Sequence, residues 1–225
     1  IAAFISMDLS KVRSVTAGRN FLHEMKEGFS YMAGHIPIRD LLLVAAMISF
    51  FSMTFPVLLP VFATDILGGG SHTFGLLVSS SGAGAFIATI FLAMREDIKG
   101  LGRIMSIAIY ALAGGLIVFS FSKTLYLSMS ILVILGFSMI TTLASCNTVL
   151  QTIVDENKRG RVMSFYVMAF TGFAPAGSLL SGIISSKAGA PMTLLIFGLA
   201  CMAFGIAFSF RMPLVKKIIY LPHEG

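Results

Sequence analysis

Residues 71–122 read SHTFGLLVSSSGAGAFIATIFLAM, then REDIKGLGR, then IMSIAIYALAGGLIVFSFS. The outer pieces, 71–94 and 104–122, carry no Lys, Arg, Asp or Glu, while the nine residues between them carry five. About 20 apolar residues cross the roughly 30 Å of a bilayer's hydrocarbon as a helix. The stretch therefore reads as two membrane spans joined by a short basic turn. Moving outward, uncharged runs recur at 41–63, 124–150, 162–186 and 190–210, which makes six spans.

Basic residues collect at every second gap. Lys11, Arg13, Arg19, Lys26, Arg39, Arg95, Lys99, Arg103, Lys158, Arg159, Arg161, Arg211, Lys216 and Lys217 fall on one side of that layout, and only Lys123 and Lys187 on the other. Fourteen against two follows the positive-inside rule for six spans with both ends in the cytoplasm. An integral membrane protein is expected, in a bacterial inner (plasma) membrane, with N- and C-termini cytoplasmic.

Composition agrees. Hydrophobic residues make up 56% and charged residues 12%, and no stretch offers a polar face wide enough for water. The net charge of +6 sits beside membrane spans, where it meets an anionic leaflet. No basic run is interleaved with aromatics as a nucleic-acid groove requires, so no nucleic-acid partner is expected. Cys146 and Cys201 lie inside spans without metal or redox spacing. They read as packed apolar residues, and no metal or other cofactor is expected.

Three regions follow. Residues 1–37 read as a cytoplasmic linker, with an apolar stub of a preceding helix at 1–7 and Phe21, Leu22, Met25, Phe29 and Met32 at helical spacing beyond it. An amphipathic surface helix fits that spacing equally well. Residues 38–213 form the six-helix bundle, and 214–225 a cytoplasmic C-terminal tail. The glycines at 68–70 and Gly189 mark tight outside turns. No connection is long enough to hold a soluble catalytic module. The chain starts at Ile1, which reads as a fragment or half of a larger unit.

Split into two triplets, the spans show a weak internal symmetry, because the middle span of each is the one richest in small residues. Three-span units related as inverted repeats are a transporter plan. Gly75, Ser79 and Ala83 recur every four residues in the first triplet, and Ala174, Ser178 and Gly182 in the second. Such stripes let another backbone approach closely. They serve packing inside the bundle or a face toward a partner bundle; two stripes are more than six helices need, which favours the partner. Pro175, flanked by Gly172 and Gly177, lies mid-span and frees a backbone carbonyl. It reads as a hinge or as a static kink. Pro56 and Pro60 are expected to end the first span.

The fourth span is the most polar. Ser138, Thr141, Thr142, Ser145, Asn147 and Thr148, with Ser52 of the first span, are candidates to line a substrate cavity, the alternative being bonds between helices. Ionisable residues are absent from span cores, and Asp40, Asp65 and Arg95 sit at edges. An intramembrane ionisable group is the usual mark of an ion relay, so no coupling residue can be assigned within this chain. Ser79, Ser80 and Ser81 have no base at reachable depth, and enzyme activity is not expected.

The run DENKRGRVMS at 155–164, with Gly172, Pro175, Gly177, Ser178, Leu179, Gly182 and the Gly189-Ala190-Pro191 turn, closely resembles the C-terminal half of major facilitator superfamily exporters. The branch it resembles contains enterobactin-exporter-like and macrolide-efflux-like proteins. Likeness extends over about residues 39–211. REDIKGLGR looks like a degenerate copy of that superfamily's basic loop signature. The resemblance implies an all-α polytopic membrane protein whose six transmembrane helices form one half of a twelve-helix fold. Its partner would be the missing N-terminal six-helix half, with membrane lipid around both and a small-molecule substrate between them. It implies that the first and fourth spans line the cavity, the second and fifth meet the other half, and the third and sixth face lipid. Arg95, Gly102, Arg103, Arg159, Gly160 and Arg161 become cytoplasmic gate candidates. Gly75, Ser79, Ala83, Gly172, Pro175, Ser178 and Gly182 become inter-half packing and hinge candidates. The function implied is a secondary active exporter, a proton-coupled antiporter of small amphipathic or apolar molecules working by alternating access. A lipid or lysophospholipid transporter of the same superfamily, or a six-span assembly module without transport, are the alternatives.

Overall fold

The computed structural model describes residues 34–95 and 100–220, with side chains described as far as Arg211. The expected linker and helix stub at 1–33, Lys99 and residues 221–225 lie outside the described residues. Every described element is a helix: α1 (Ile36–Ser52), α2 (Thr54–Val61), a π-helical turn (Phe62–Ile66), α3 (Ser71–Ala93), α4 (Leu101–Ser120), α5 (Leu125–Ile153), α6 (Glu156–Ala188) and α7 (Ala190–Tyr220). Six units are long and apolar enough to cross a membrane, the first being α1, α2 and the π-turn taken together, Ile36–Ile66. In hydrocarbon an unpaired backbone group costs several kcal/mol, so helices that satisfy themselves are the available solution for such a sequence.

Two prolines shape the first span without ending it. Pro56 lacks an N–H and crowds the carbonyl four residues back, that of Ser52, and the α-helix breaks there, at Met53. Pro60 is tolerated inside α2, and the chain then underwinds into the wider π-turn. Phe62 anchors that turn by stacking on Phe119 of α4 with ring centroids 4.5 Å apart. The span thus reaches Ile66, three residues past the apolar run that ends at 63. The other end of the bundle differs from expectation as well. Residues 156–161 belong to the first turns of α6 rather than to a loop, with Asp155 in extended conformation before them and Glu156 favourably placed at the positive helix end. Likewise α7 continues through 214–220, where a tail is expected.

Packing follows a two-fold exchange of the triplets. Swapping α1–α2, α3, α4 for α5, α6, α7 turns the α3·α5 contact into α6·α1, turns α4·α5 into α7·α1, and leaves α1·α5 and α4·α7 unchanged. Since each triplet has three spans, the second crosses the membrane in the opposite sense, and the two are inverted repeats. Equivalent glycines make the equivalent crossings. A Cβ on Gly84 of α3 would come within 2.0 Å of the Val133 carbonyl oxygen, and one on Gly177 of α6 within 2.2 Å of the Phe50 oxygen. Gly136 of α5 returns the first contact: a Cβ there would come within 2.0 Å of the Ser81 oxygen. Backbone-to-backbone approach of this kind is what holds helices together where lipid tails are as apolar as leucine. One relation breaks the symmetry: α6 and α7 pack on each other, whereas α3 and α4 barely touch.

Candidate functional site

Two helices are left largely bare. Only 22% of the most apolar window of α3 and 11% of that of α6 is buried, against 67% for the first span. Gly75, Ser79 and Ala83 are exposed on α3, as are Gly172, Pro175 and Gly182 on α6, with Ser178 half-buried. A Cβ added at Gly75, Gly82, Gly172 or Gly182 would meet nothing within 4 Å. Each small-residue helix is therefore divided: Gly84 and Gly177 serve packing inside this bundle, and the neighbouring stripe faces outward. Pro175 leaves α6 continuous from Glu156 to Ala188. Its missing N–H releases the carbonyl of Thr171 from the usual helical bond.

The polar residues of α5 point in more than one direction. Ser138, Thr141, Thr142 and Ser145, like Ser52 of α1, are fully buried, whereas Asn147 is half-buried and Thr148 exposed. Thr142 donates to the Ser138 carbonyl at 2.8 Å and Thr148 to the Ala144 carbonyl at 3.0 Å, so both hydroxyls are satisfied within their own helix. Ser52 Oγ reaches the Ser49 carbonyl at 3.5 Å, while Ser49 Oγ crosses to the Phe170 carbonyl of α6 at 2.5 Å. Gln151 donates its side-chain amide to Asn147 Oδ1, giving an amide pair on the accessible surface one turn from the end of α5. By contrast the hydroxyls of Ser138, Thr141 and Ser145 are buried with no partner. Ser138 and Thr141 sit in the wall of a crevice of about 350 Å³ between α3, α4 and α5.

The gate candidates gather at one end of the bundle. Gly100 takes φ +90° in the turn before α4, a left-handed conformation suited to glycine, and the Arg95 guanidinium lies 3.7 Å from where its Cβ would stand. Gly102 is buried in the first turn of α4 and Arg103 is exposed. Across the bundle Arg159, Gly160 and Arg161 occupy the first turns of α6, with Arg159 Nε buried and without a partner.

At this same end lies a residue that sequence reasoning left at an edge. Asp40 falls in the second turn of α1 and is 1% exposed. Its Oδ1 stands 3.5 Å from Nη1 of Arg211 and 3.8 Å from Nε of Arg39, while Oδ2 is buried with no partner. The signal available in sequence was its place one helical turn inside the bundle, with Arg211 at the far end of the last apolar run. No group of three or more His, Cys, Asp or Glu able to hold a metal occurs among the described residues.

Comparison with known proteins accords with this geometry. The staphyloferrin A transporter of Staphylococcus aureus (strain NCTC 8325 / PS 47) is 24% identical over 211 residues, covering 93% of this chain and 53% of that protein. The chain thus spans about half the length of the curated relative it matches. The model of one family, described as transmembrane secretion effector, matches residues 1–221. By fold and by sequence, the chain belongs to the transmembrane secretion effector family of major facilitator membrane transporters.

Proposed function

We propose that this chain is one six-helix half of a secondary exporter that moves small amphipathic or apolar molecules by alternating access. The observation that carries the reading is the pair of bare faces on α3 and α6. Two helices apolar enough to span a membrane present small residues outward, and a Cβ at Gly75, Gly82, Gly172 or Gly182 would meet nothing within 4 Å. A second six-helix bundle packed on both faces would enclose a space between the halves, and its mass would match the length the relative has beyond this chain.

Fixed charge is absent from the middle of the described spans, so the cargo recognised here would be held by hydroxyls, the Asn147–Gln151 amide pair and apolar surface. Proton-coupled antiport fits an exporter whose ionisable coupling group lies in the other half. The basic ends of α4 and α6 then face the cytoplasm, where Arg95, Arg103, Arg159 and Arg161 would close the inner gate. The enterobactin-exporter-like and macrolide-efflux-like branch is the one we favour. The family is one of membrane transporters, and the reading is of a carrier. The lipid-transporter alternative asks for a gap lined by Phe, Leu and Met. The α3–α4–α5 crevice has Phe, Ile, Val and Ala walls, without Leu or Met.

The test is transport by the full-length protein in proteoliposomes carrying a pH gradient. Amphipathic dyes, macrolides and staphyloferrin A would be offered in turn. Efflux of any of them that collapses with a protonophore supports proton-coupled export. Binding without movement under either gradient direction would favour the assembly-module reading instead.

A further inference from the structure

We infer that Arg39 and Arg211 together form a binding site for a phosphate-bearing anion, presented at the basic end of the bundle by a phospholipid headgroup. The two guanidiniums come from opposite ends of the described chain, one from the first turn of α1 and one from α7. They meet on a single atom: Arg211 Nη1 lies 3.5 Å and Arg39 Nε 3.8 Å from Oδ1 of Asp40. Asp40 is buried, whereas the side chains of Arg39 and Arg211 are 52% and 58% exposed. An anion can therefore reach both arginines without entering the bundle.

Neutralising Asp40 does not account for this arrangement. One arginine facing both carboxylate oxygens would make the strong two-bond pair. Here two arginines crowd one oxygen, and Oδ2 is buried with no partner. Two positive charges share one negative charge, so the cluster stays positive. Arg39 also stands at the positive end of the α1 dipole, a place that disfavours a cation and favours an anion. Asp40 thus acts as a buried tether that holds two like charges side by side. Each guanidinium is a planar fork of N–H donors matched to phosphate oxygens, and has more donors than one carboxylate oxygen can accept.

The surroundings suit a lipid. Leu43, one turn beyond Arg39 on α1, is exposed, as are Ile206 and Phe210 on α7. Acyl chains under a bound headgroup would lie on such apolar surface. The basic ends of membrane proteins face the cytoplasmic leaflet, where anionic lipids reside, and basic pockets between spans hold their headgroups. The choice of a lipid rests on the orientation proposed above; the phosphate chemistry of the site does not, and neither depends on the molecule being exported.

Phosphatidylglycerol is the probe, with phosphatidylcholine, whose phosphate is balanced by its own cation, as the comparison. Full-length protein in micelles of an uncharged detergent would be titrated with each lipid, and native mass spectrometry would count the lipids retained. Wild type should hold phosphatidylglycerol in preference. Arg39→Gln leaves the Arg211–Asp40 contact in place and should weaken that binding about fivefold, the effect of one basic residue near an anionic surface. Arg211→Gln alone threatens folding, so Asp40→Asn with Arg211→Gln is the second variant. It keeps the net charge, leaves no buried carboxylate, and should lose a similar factor. Lys187→Gln, at the other end of the bundle, should bind as wild type does. Inorganic phosphate separates the two sources of the anion. If phosphate alone raises the unfolding temperature of wild type and not of the double variant, the site takes a free anion. No such shift, with phosphatidylglycerol retained through the arginines, assigns it to the lipid. Equal retention of the two lipids with no effect of phosphate would overturn the proposal. So would phosphatidylglycerol binding indifferent to both arginine variants.

Discussion

Nη1 of Arg211, near the end of the last apolar run, lies 3.5 Å from Oδ1 of Asp40 at the start of the first span. The pair ties the first and last spans of the bundle at one membrane boundary, with Asp40 1% exposed and Arg211 58% exposed. Burying a carboxylate is expensive, and an exposed guanidinium offsets only part of that cost. Oδ2 is left with no partner at all. The arrangement constrains the bundle end more than it stabilises it.

The imbalance predicts a double-mutant cycle of unusual sign. Arg211→Gln leaves the buried carboxylate only the longer 3.8 Å contact to Arg39 and should destabilise by about 1–3 kcal/mol, the penalty for a buried polar group poorly paired. Asp40→Asn should cost less, since an amide tolerates burial better than a charge. Adding Asp40→Asn to Arg211→Gln should recover most of the loss. Thermal unfolding of detergent-solubilised protein reads all three, and additive losses would show that the two side chains do not interact.

Glycine crossings provide a prediction about folding alone. Alanine at Gly84 or Gly177 places a methyl within about 2 Å of a backbone carbonyl, a contact that only helix displacement can relieve. Alanine at Gly75 or Gly172 meets open space. The first two changes should lower the yield of folded protein severalfold, and the second two should leave it near wild type. Fluorescence-detected size exclusion on each variant distinguishes the sets, and equal yields would contradict the packing described.

Charge reversal at the head of α6 tests the gate. Lys158, Arg159 and Arg161 occupy the first turns of that helix, where the backbone already presents positive charge. Glutamates there are electrostatically compatible with the helix itself, so the variant should fold. If the three residues bridge to the other half, efflux should fall at least about tenfold, as loss of a charged contact implies. Inserted cysteines in flanking turns would report topology independently. Normal efflux with normal topology would remove these residues from the gate.

The fold was legible because hydrocarbon leaves so few alternatives: an uncharged run of the right length has to be a helix, and six such runs with alternating charge give the layout. The repeat symmetry was legible for a related reason, since small residues mark where backbones meet. Direction was harder. Spacing shows that Thr141, Ser145 and Thr148 share a side of α5, but not which way that side turns; in the structure it passes from buried wall to exposed surface. Nor does spacing separate Gly84 from Gly82, two residues apart, of which one crosses α5 and the other faces open space. Asp40 escaped notice because its burial depends on neighbours from the far end of the chain, a contact no local window contains.

The outward face of α6 allows the sharpest test of the proposed second half. Ser178 is half-buried and donates to the Ala174 carbonyl at 3.0 Å, and Gly182 meets nothing within 4 Å. Leucine at both positions costs only the bond Ser178 makes within its own helix, so the six helices should still assemble. Two isobutyl groups would nonetheless hold a second bundle away from α6, where close approach supplies the attraction. Transport by the full-length protein should then be lost while expression and unfolding temperature of this half stay near wild type. The matching change on α3, Gly75→Leu with Ser79→Leu, should behave alike if the two faces are used together. Full transport with both pairs replaced would mean that neither α3 nor α6 meets a partner, and the half-transporter reading would fall with it.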